Sequence, residues 1–198
     1  IRDSKWGGRY LPETNSFAQQ TIAHNTLTVD ETSHYKGDEK TAEMNHPVRV
    51  YGNVSSSNLQ VASAIDEQAY PGVKMHRSVY MIHIPGSEKY VTADIFKTYS
   101  ENEHQYDLPF YYSGVLMKTN FAYKNYSDSL MVLGKKNGYQ HLWKEAEAKS
   151  VAPFMQFTFL NKQTFYTISS LQDDSVDVLL ARIGAHDPNF NLRREPAY

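Results

Sequence analysis

A succession of short, alternating apolar runs, each closed by turn-forming residues, constrains this chain more than any other feature of its sequence. "HPVRVYGNV", "LQVASAI", "KMHRSVYMIHI", "KYVTADIF", "FYYSGVLMKTNFAY", "SLMVL", "YQHLW", "FMQFTFL", "TFYTISSL" and "VDVLLARIGA" follow one another, separated by signals such as "YPG", "IPGS", "KKNG" and "LQDDS". Alternation with a period of two sends successive side chains to opposite faces of an extended strand. In "YVTADIF", Val91, Ala93 and Ile95 share one face and Tyr90, Thr92 and Asp94 the other, and Met155, Phe157 and Phe159 line up in the same way. Asn137-Gly138 marks a hairpin, because both residues accept positive φ.

"HLWKEAEAKS" is the one stretch with helical character, and it is too short to organise a bundle. Thr21 to Val29, rich in β-branched residues, reads as a further strand with His24 and Asn25 in its middle. The pattern predicts an all-β fold, an antiparallel β-sandwich of two packed sheets. With 198 residues, 40% of them hydrophobic, the chain is long enough for one sizeable core, and a single domain over 1–198 is expected.

Charge excludes some functions. Lys and Arg number 20 against 22 Asp and Glu, a formal charge of −2, so nothing draws the whole chain to a polyanion and nucleic acid is not an expected partner. An acidic ligand needs a local basic pocket. There is no cysteine, hence neither disulfides nor thiolate metal sites. No run of about 18 apolar residues predicts a membrane span, and "IRDSKWGG" lacks the apolar core of a signal peptide. The sequence opens on Ile1 rather than Met, as expected of a processed product or a piece of something longer. Tyrosine, at 15 residues against 9 Phe, joins an apolar ring to a polar tip and suits half-exposed strand faces or sugar-binding grooves.

Several residues are candidates for chemistry. His24 can be read as a metal ligand, a base or a core residue; a lone histidine in a strand is more often a hydrogen-bonded core side chain. Zinc needs about three protein ligands, and the nearest histidine, His34, lies beyond the next turn. Tyr10, in "GGRYLPE", follows two glycines that let the backbone approach another surface, and Arg9 beside it can grip a carboxylate through its planar fork. On local evidence the same stretch reads as a terminal segment with one aromatic anchor. His104 and Asp107 in "NEHQYDLP" border a strand or loop, and His76 and His83 read as structural or surface residues. "GKKNG" lacks the strand-to-helix context of a phosphate loop. "HDPNFNLRRE" reads as a solvated tail with paired arginines.

Taken together, "GGRYLPETNSFAQQTIAHNTLTVDETSHY", "RSVYMIHIP", "YDLPFYYSG", "GKKNGYQHLW" and "GAHDPNFNLR" resemble the C-terminal part of oligoalginate lyases, the exolytic enzymes of polysaccharide lyase family 17. "AHNT" is shared more broadly with heparinase II/III-like lyases. The resemblance implies an α/α toroid followed by an antiparallel β-sandwich, with the active site between them. Only the sandwich is represented here; the toroid and the first sandwich strands are expected upstream of Ile1.

By resemblance, His24 helps bind a structural zinc with a His and an Asp from those upstream strands, and Tyr10 is a catalytic tyrosine. The other catalytic groups, an Asn, a His and a second Tyr, belong to the toroid, which becomes an expected partner whether on the same chain or a separate one. The implied reaction is β-elimination of alginate oligosaccharides, exolytic, releasing an unsaturated monouronate, without an organic cofactor. A periplasmic or secreted location is implied, and a homodimer is compatible with it. Two other functions stay open: a lyase of another polyuronate such as a glycosaminoglycan, and a non-catalytic sandwich that binds sugar or protein.

Overall fold

The computed structural model describes residues 11–189 and 191–192. Its contacts fall into two compact units: Thr32–Gln105, and the two flanking stretches Ile1–Glu31 and Tyr106–Tyr198 together. Every strand pair in both is antiparallel. The flanking unit contributes β1 (Thr28–Val29) at its start.

The Thr32–Gln105 unit holds a short helix, α1 (Glu39–Met44), and four strands, β2 (Val48–Asn53), β3 (Leu59–Tyr70), β4 (Val73–His83) and β5 (Tyr90–Tyr99). The strands form one meander in the order β2-β3-β4-β5. Pro71-Gly72 turns β3 into β4, with Gly72 at φ +76°. The register pairs Val61 with Tyr80, Ser63 with Ser78 and Ile65 with His76 across β3 and β4. It pairs His76 with Lys97, Arg77 with Phe96 and Val79 with Asp94 across β4 and β5.

Helix α1 was not evident among so many strand signals, yet it carries a start signal. The Asp38 carboxylate accepts from Thr41 N at 2.7 Å, which also holds the carboxyl below its ordinary value.

The flanking unit continues with β6 (Tyr106–Asp107), β7 (Val115–Thr119), β8 (Lys124–Asn125), β9 (Met131–Val132), β10 (Leu142–Val151), β11 (Phe154–Asn161), β12 (Thr164–Leu171) and β13 (Val176–Ile183). β1 pairs with β6; β10 lies between β13 and β8 and also pairs with β9; β11 lies between β12 and β7. The hairpin expected at Asn137-Gly138 is present, with φ of 55° and 92°, and it returns β9 onto β10. The core gathers Phe17, Ile22, Ala23, Tyr139, Leu142, Ile183 and Leu192, all buried.

Three local expectations are corrected. "HLWKEAEAKS" is not helical: Leu142–Val151 is strand β10. Glu, Ala and Lys favour helices as isolated residues, but "EAEAK" also alternates, and pairing with β13 lets Ala146 and Ala148 point inward together. The register shifts between Lys144 and Ala146, leaving Glu145 as the extra residue, and its carboxylate pairs with the Arg182 guanidinium.

Thr21–Val29 is not one strand. Thr21–Ala23 is a 3-10 turn and only Thr28–Val29 is extended in a ladder, because Ile22 and Ala23 must both reach the core from adjacent positions. The "HDPNFNLRRE" stretch is not solvated at its start either. Asp187 is buried and accepts from the backbone N–H of Asn191 (2.8 Å) and Leu192 (2.6 Å), which delivers Leu192 to the core.

Candidate active-site segment

Tyr10 and Arg9 lie outside the described residues. The segment that follows them is described, and it is held at many points. A π-helical turn, Thr14–Ala18, buries Phe17 and Ala18, and the 3-10 turn Thr21–Ala23 buries all three of its residues. Glu13 is buried, and its carboxylate accepts from the Asn191 side-chain amide at 3.1 Å. Gly138 packs so closely that a Cβ there would lie 2.5 Å from Ile22 Cγ2. Only a glycine permits both that approach and its φ of +92°.

His24 follows the 3-10 turn in an extended conformation, with φ −126° and ψ 154°. Its Nε2 lies 2.9 Å from the carbonyl oxygen of Ala18. A carbonyl only accepts, so Nε2 carries the hydrogen, and in the neutral ring the lone pair is left on Nδ1. This is the arrangement in which a metal-binding histidine is oriented by a carbonyl behind it. The donor set stops there. Among the described residues, no three His, Asp or Glu side chains gather so as to hold a metal ion. His24 therefore has the chemistry of one ligand, and the described residues do not by themselves make a zinc site.

Three aromatic residues from distant positions fix the segment around His24. Tyr111 donates its hydroxyl to the Ile22 carbonyl at 2.8 Å, while its backbone N–H donates to Asn25 Oδ1 at 2.8 Å. Burial pushes the Tyr111 phenol far above its ordinary value, so it stays a donor. The Tyr139 hydroxyl donates to Asp107 Oδ2 at 2.6 Å and lies 2.6 Å from Thr28 Oγ1. The buried ring of His141 donates from Nδ1 to the Ala185 carbonyl at 2.9 Å, which leaves Nε2 to accept the Ser16 hydroxyl at 2.9 Å.

Of the other residues singled out in the sequence, Asp107 has a defined task as the acceptor for Tyr139. His104 lies within 3.2 Å of Ser100 Oγ. His76 joins a serine pair on the four-stranded sheet and His83 packs against Tyr90. Tyr111, Tyr139 and His141 stood inside quoted stretches, but nothing local to them signalled their partners.

No helix among the described residues is long and apolar enough to cross a membrane. Against known proteins, residues 4–173 match the family described as "Heparinase II/III-like, C-terminal". A protein named exo-oligoalginate lyase from Saccharophagus degradans (strain 2-40 / ATCC 43961 / DSM 17024) is 37% identical over 196 residues, 98% of this chain and 26% of that protein. An alginate lyase from Stenotrophomonas maltophilia (strain K279a) is 39% identical over 196 residues, again 98% of this chain and 26% of the relative. The chain thus spans about a quarter of the length of these relatives. With the match running through most of an antiparallel β chain, and through the His24 segment and its clamps, the chain belongs to the heparinase II/III-like, C-terminal family.

Proposed function

We propose that this chain is part of a polysaccharide lyase that cleaves alginate oligosaccharides by β-elimination, exolytically, releasing an unsaturated monouronate. The observation that supports this best is the 37% and 39% identity, over 98% of the chain, to two proteins named as alginate-directed lyases. A periplasmic or secreted location goes with this reading. The word heparinase in the family description favours one second reading, a lyase of a glycosaminoglycan.

β-Elimination on a 4-linked uronate makes three demands. The sugar carboxylate must be neutralised, the C5 proton removed and the departing O4 protonated. An ordinary tyrosine has a pKa of about 10 and is fully protonated at neutral pH, so as an acid it needs no tuning. As a base it would need nearby positive charge. Tyr10 is therefore proposed to deliver the proton to O4, with Arg9 binding substrate and the base and carboxylate-neutralising groups supplied from outside this chain. No organic cofactor enters.

The test uses the complete enzyme carrying Tyr10→Phe, with absorbance of the conjugated product as readout. Acid catalysis contributes about a hundred- to ten-thousand-fold, so kcat is expected to fall by that order with a modest change in KM. Retention of more than about a tenth of kcat would demote Tyr10 to a positioning residue. Digestion of glycosaminoglycan but not alginate oligomers would select the second reading.

His24 is proposed as one ligand, through Nδ1, of a structural zinc completed by residues outside this chain. In the complete protein, His24→Ala is expected to lower bound zinc and thermal stability together. Stoichiometric zinc in that variant returns His24 to a hydrogen-bonded core role.

A further inference from the structure

The four-stranded sheet sorts its charges by face. From the pairing of His76 with Lys97 and of Ser63 with Ser78, alternation along β3, β4 and β5 puts Ser63, His76, Ser78, Tyr80 and Lys97 on one face. The same alternation puts Asp66, Arg77 and Asp94 on the other. There both carboxylates are engaged: Asp94 holds the Arg77 guanidinium through two bonds, and Asp66 accepts the Tyr35 hydroxyl at 3.1 Å. Glu67, at the irregular end of β3, is paired with Lys74 at 2.6 Å. Lys97 is exposed and makes no ion pair with any described residue. Among the described residues of β3, β4 and β5, this face therefore carries an available cation and no available carboxylate.

On it lies an open groove of about 420 Å3. Its lining is mixed: Ser63 Oγ lies 2.8 Å from both His76 Nε2 and Ser78 Oγ, beside the apolar side chains of Leu59 and Val61. Tyr51 and Tyr80 line it with Asn53. Tyr51 is 54% exposed in this chain, and its ring lies along the groove. Half-exposed phenol rings pack against the C–H face of a sugar while their hydroxyls and the Asn53 side-chain N–H suit sugar hydroxyls. Lys97, on the strand beside His76, is placed for a carboxylate.

We propose that this groove binds an acidic oligosaccharide, with a uronate carboxylate on Lys97 and sugar rings against Tyr51 and Tyr80. The choice of uronate rests on the lyase reading above; the groove and its charge do not. Titration of the complete protein with alginate oligomers, reading binding outside the catalytic site by calorimetry of the Tyr10→Phe variant or by amide shifts of β2 to β5, tests it. Saturable binding is expected that weakens with salt, at least tenfold tighter than for a neutral oligosaccharide of equal length. Lys97→Ala and Tyr51→Ala should each weaken it at least tenfold with an unchanged circular dichroism spectrum, and Lys97→Glu should abolish it.

Binding indifferent to Lys97 and Tyr51, or shifts confined to other strands, overturns the proposal, and so does failure to bind any acidic oligosaccharide. If a sulfated glycosaminoglycan binds with the same dependence on Lys97 while alginate does not, the groove stands and the alginate reading fails. Alginate turnover by the complete enzyme, with no Lys97-dependent binding, leaves that reading standing and removes the groove.

Discussion

Tyr139 shows how much one side chain can carry. Its hydroxyl bridges Asp107 and Thr28, and Thr28 is almost wholly buried. Burial first, then the bond to the Asp107 carboxylate, raises the phenol far above its usual value. A raised pKa in the folded state stabilises fully below the unfolded value of about 10 and is lost as pH climbs beyond it. Tyr139→Phe is expected to cost about 1–3 kcal/mol, because the Asp107 carboxylate loses its donor and the buried Thr28 hydroxyl loses a partner. It should also flatten the loss of stability above about pH 10. Denaturant midpoints of the two proteins across that range check both statements; equal midpoints would reduce the bridge to packing alone. The neighbouring Asn137-Gly138 was legible in the sequence, since positive φ is a property of the residues themselves. The tasks of Tyr139 and His141 were not, because a hydrogen bond to Asp107 or Ser16 joins positions that no local pattern connects.

Among the elements, β10 is the one whose composition misleads and whose environment decides. Its outward side chains form a charge network: the Glu147 carboxylate takes Lys149 at 2.8 Å, Lys144 at 3.0 Å and the Tyr126 hydroxyl. Lys149 also reaches Asp177 of β13 at 2.9 Å. Lys149 first, then Tyr126 and Lys144, hold Glu147 down to about 2. A depressed carboxyl stabilises above its unfolded value, about 4.3, and that contribution is lost as pH falls through the folded value. Acid unfolding of the native chain should therefore steepen between about pH 4.5 and 2, and Glu147→Gln should remove that steepening. Identical acid profiles would show that the network is screened by solvent. The other long strands were legible because their alternation agrees with their β-branched and aromatic content. In β10 the two signals conflicted, and pairing with β13, 28 residues away at the Lys149–Asp177 contact, settled the outcome.

For the whole molecule, the all-β character and the family both followed from segments spread along the chain, whereas the candidate site was legible only as separate residues. His24 could be named from "AHNT", but the carbonyl that fixes its tautomer and the clamps around it depend on the folded chain. The two-unit organisation was equally hidden, since Thr32 and Gln105 carry no linker composition. It has a consequence for how the protein is made. Thr28 pairs with Asp107 and Val29 with Tyr106, so the chain leaves the flanking unit and re-enters it on adjacent strands. The Thr32–Gln105 meander is built from sequence neighbours and can form as soon as it has left the ribosome. Phe17 and Ile22, synthesised earlier than the meander, find Tyr139, Leu142, Ile183 and Leu192 only after those later residues have emerged. The apolar turn around Phe17 and Ile22 is thus made before the meander and covered after it, and during that delay it is a natural client for a holding chaperone.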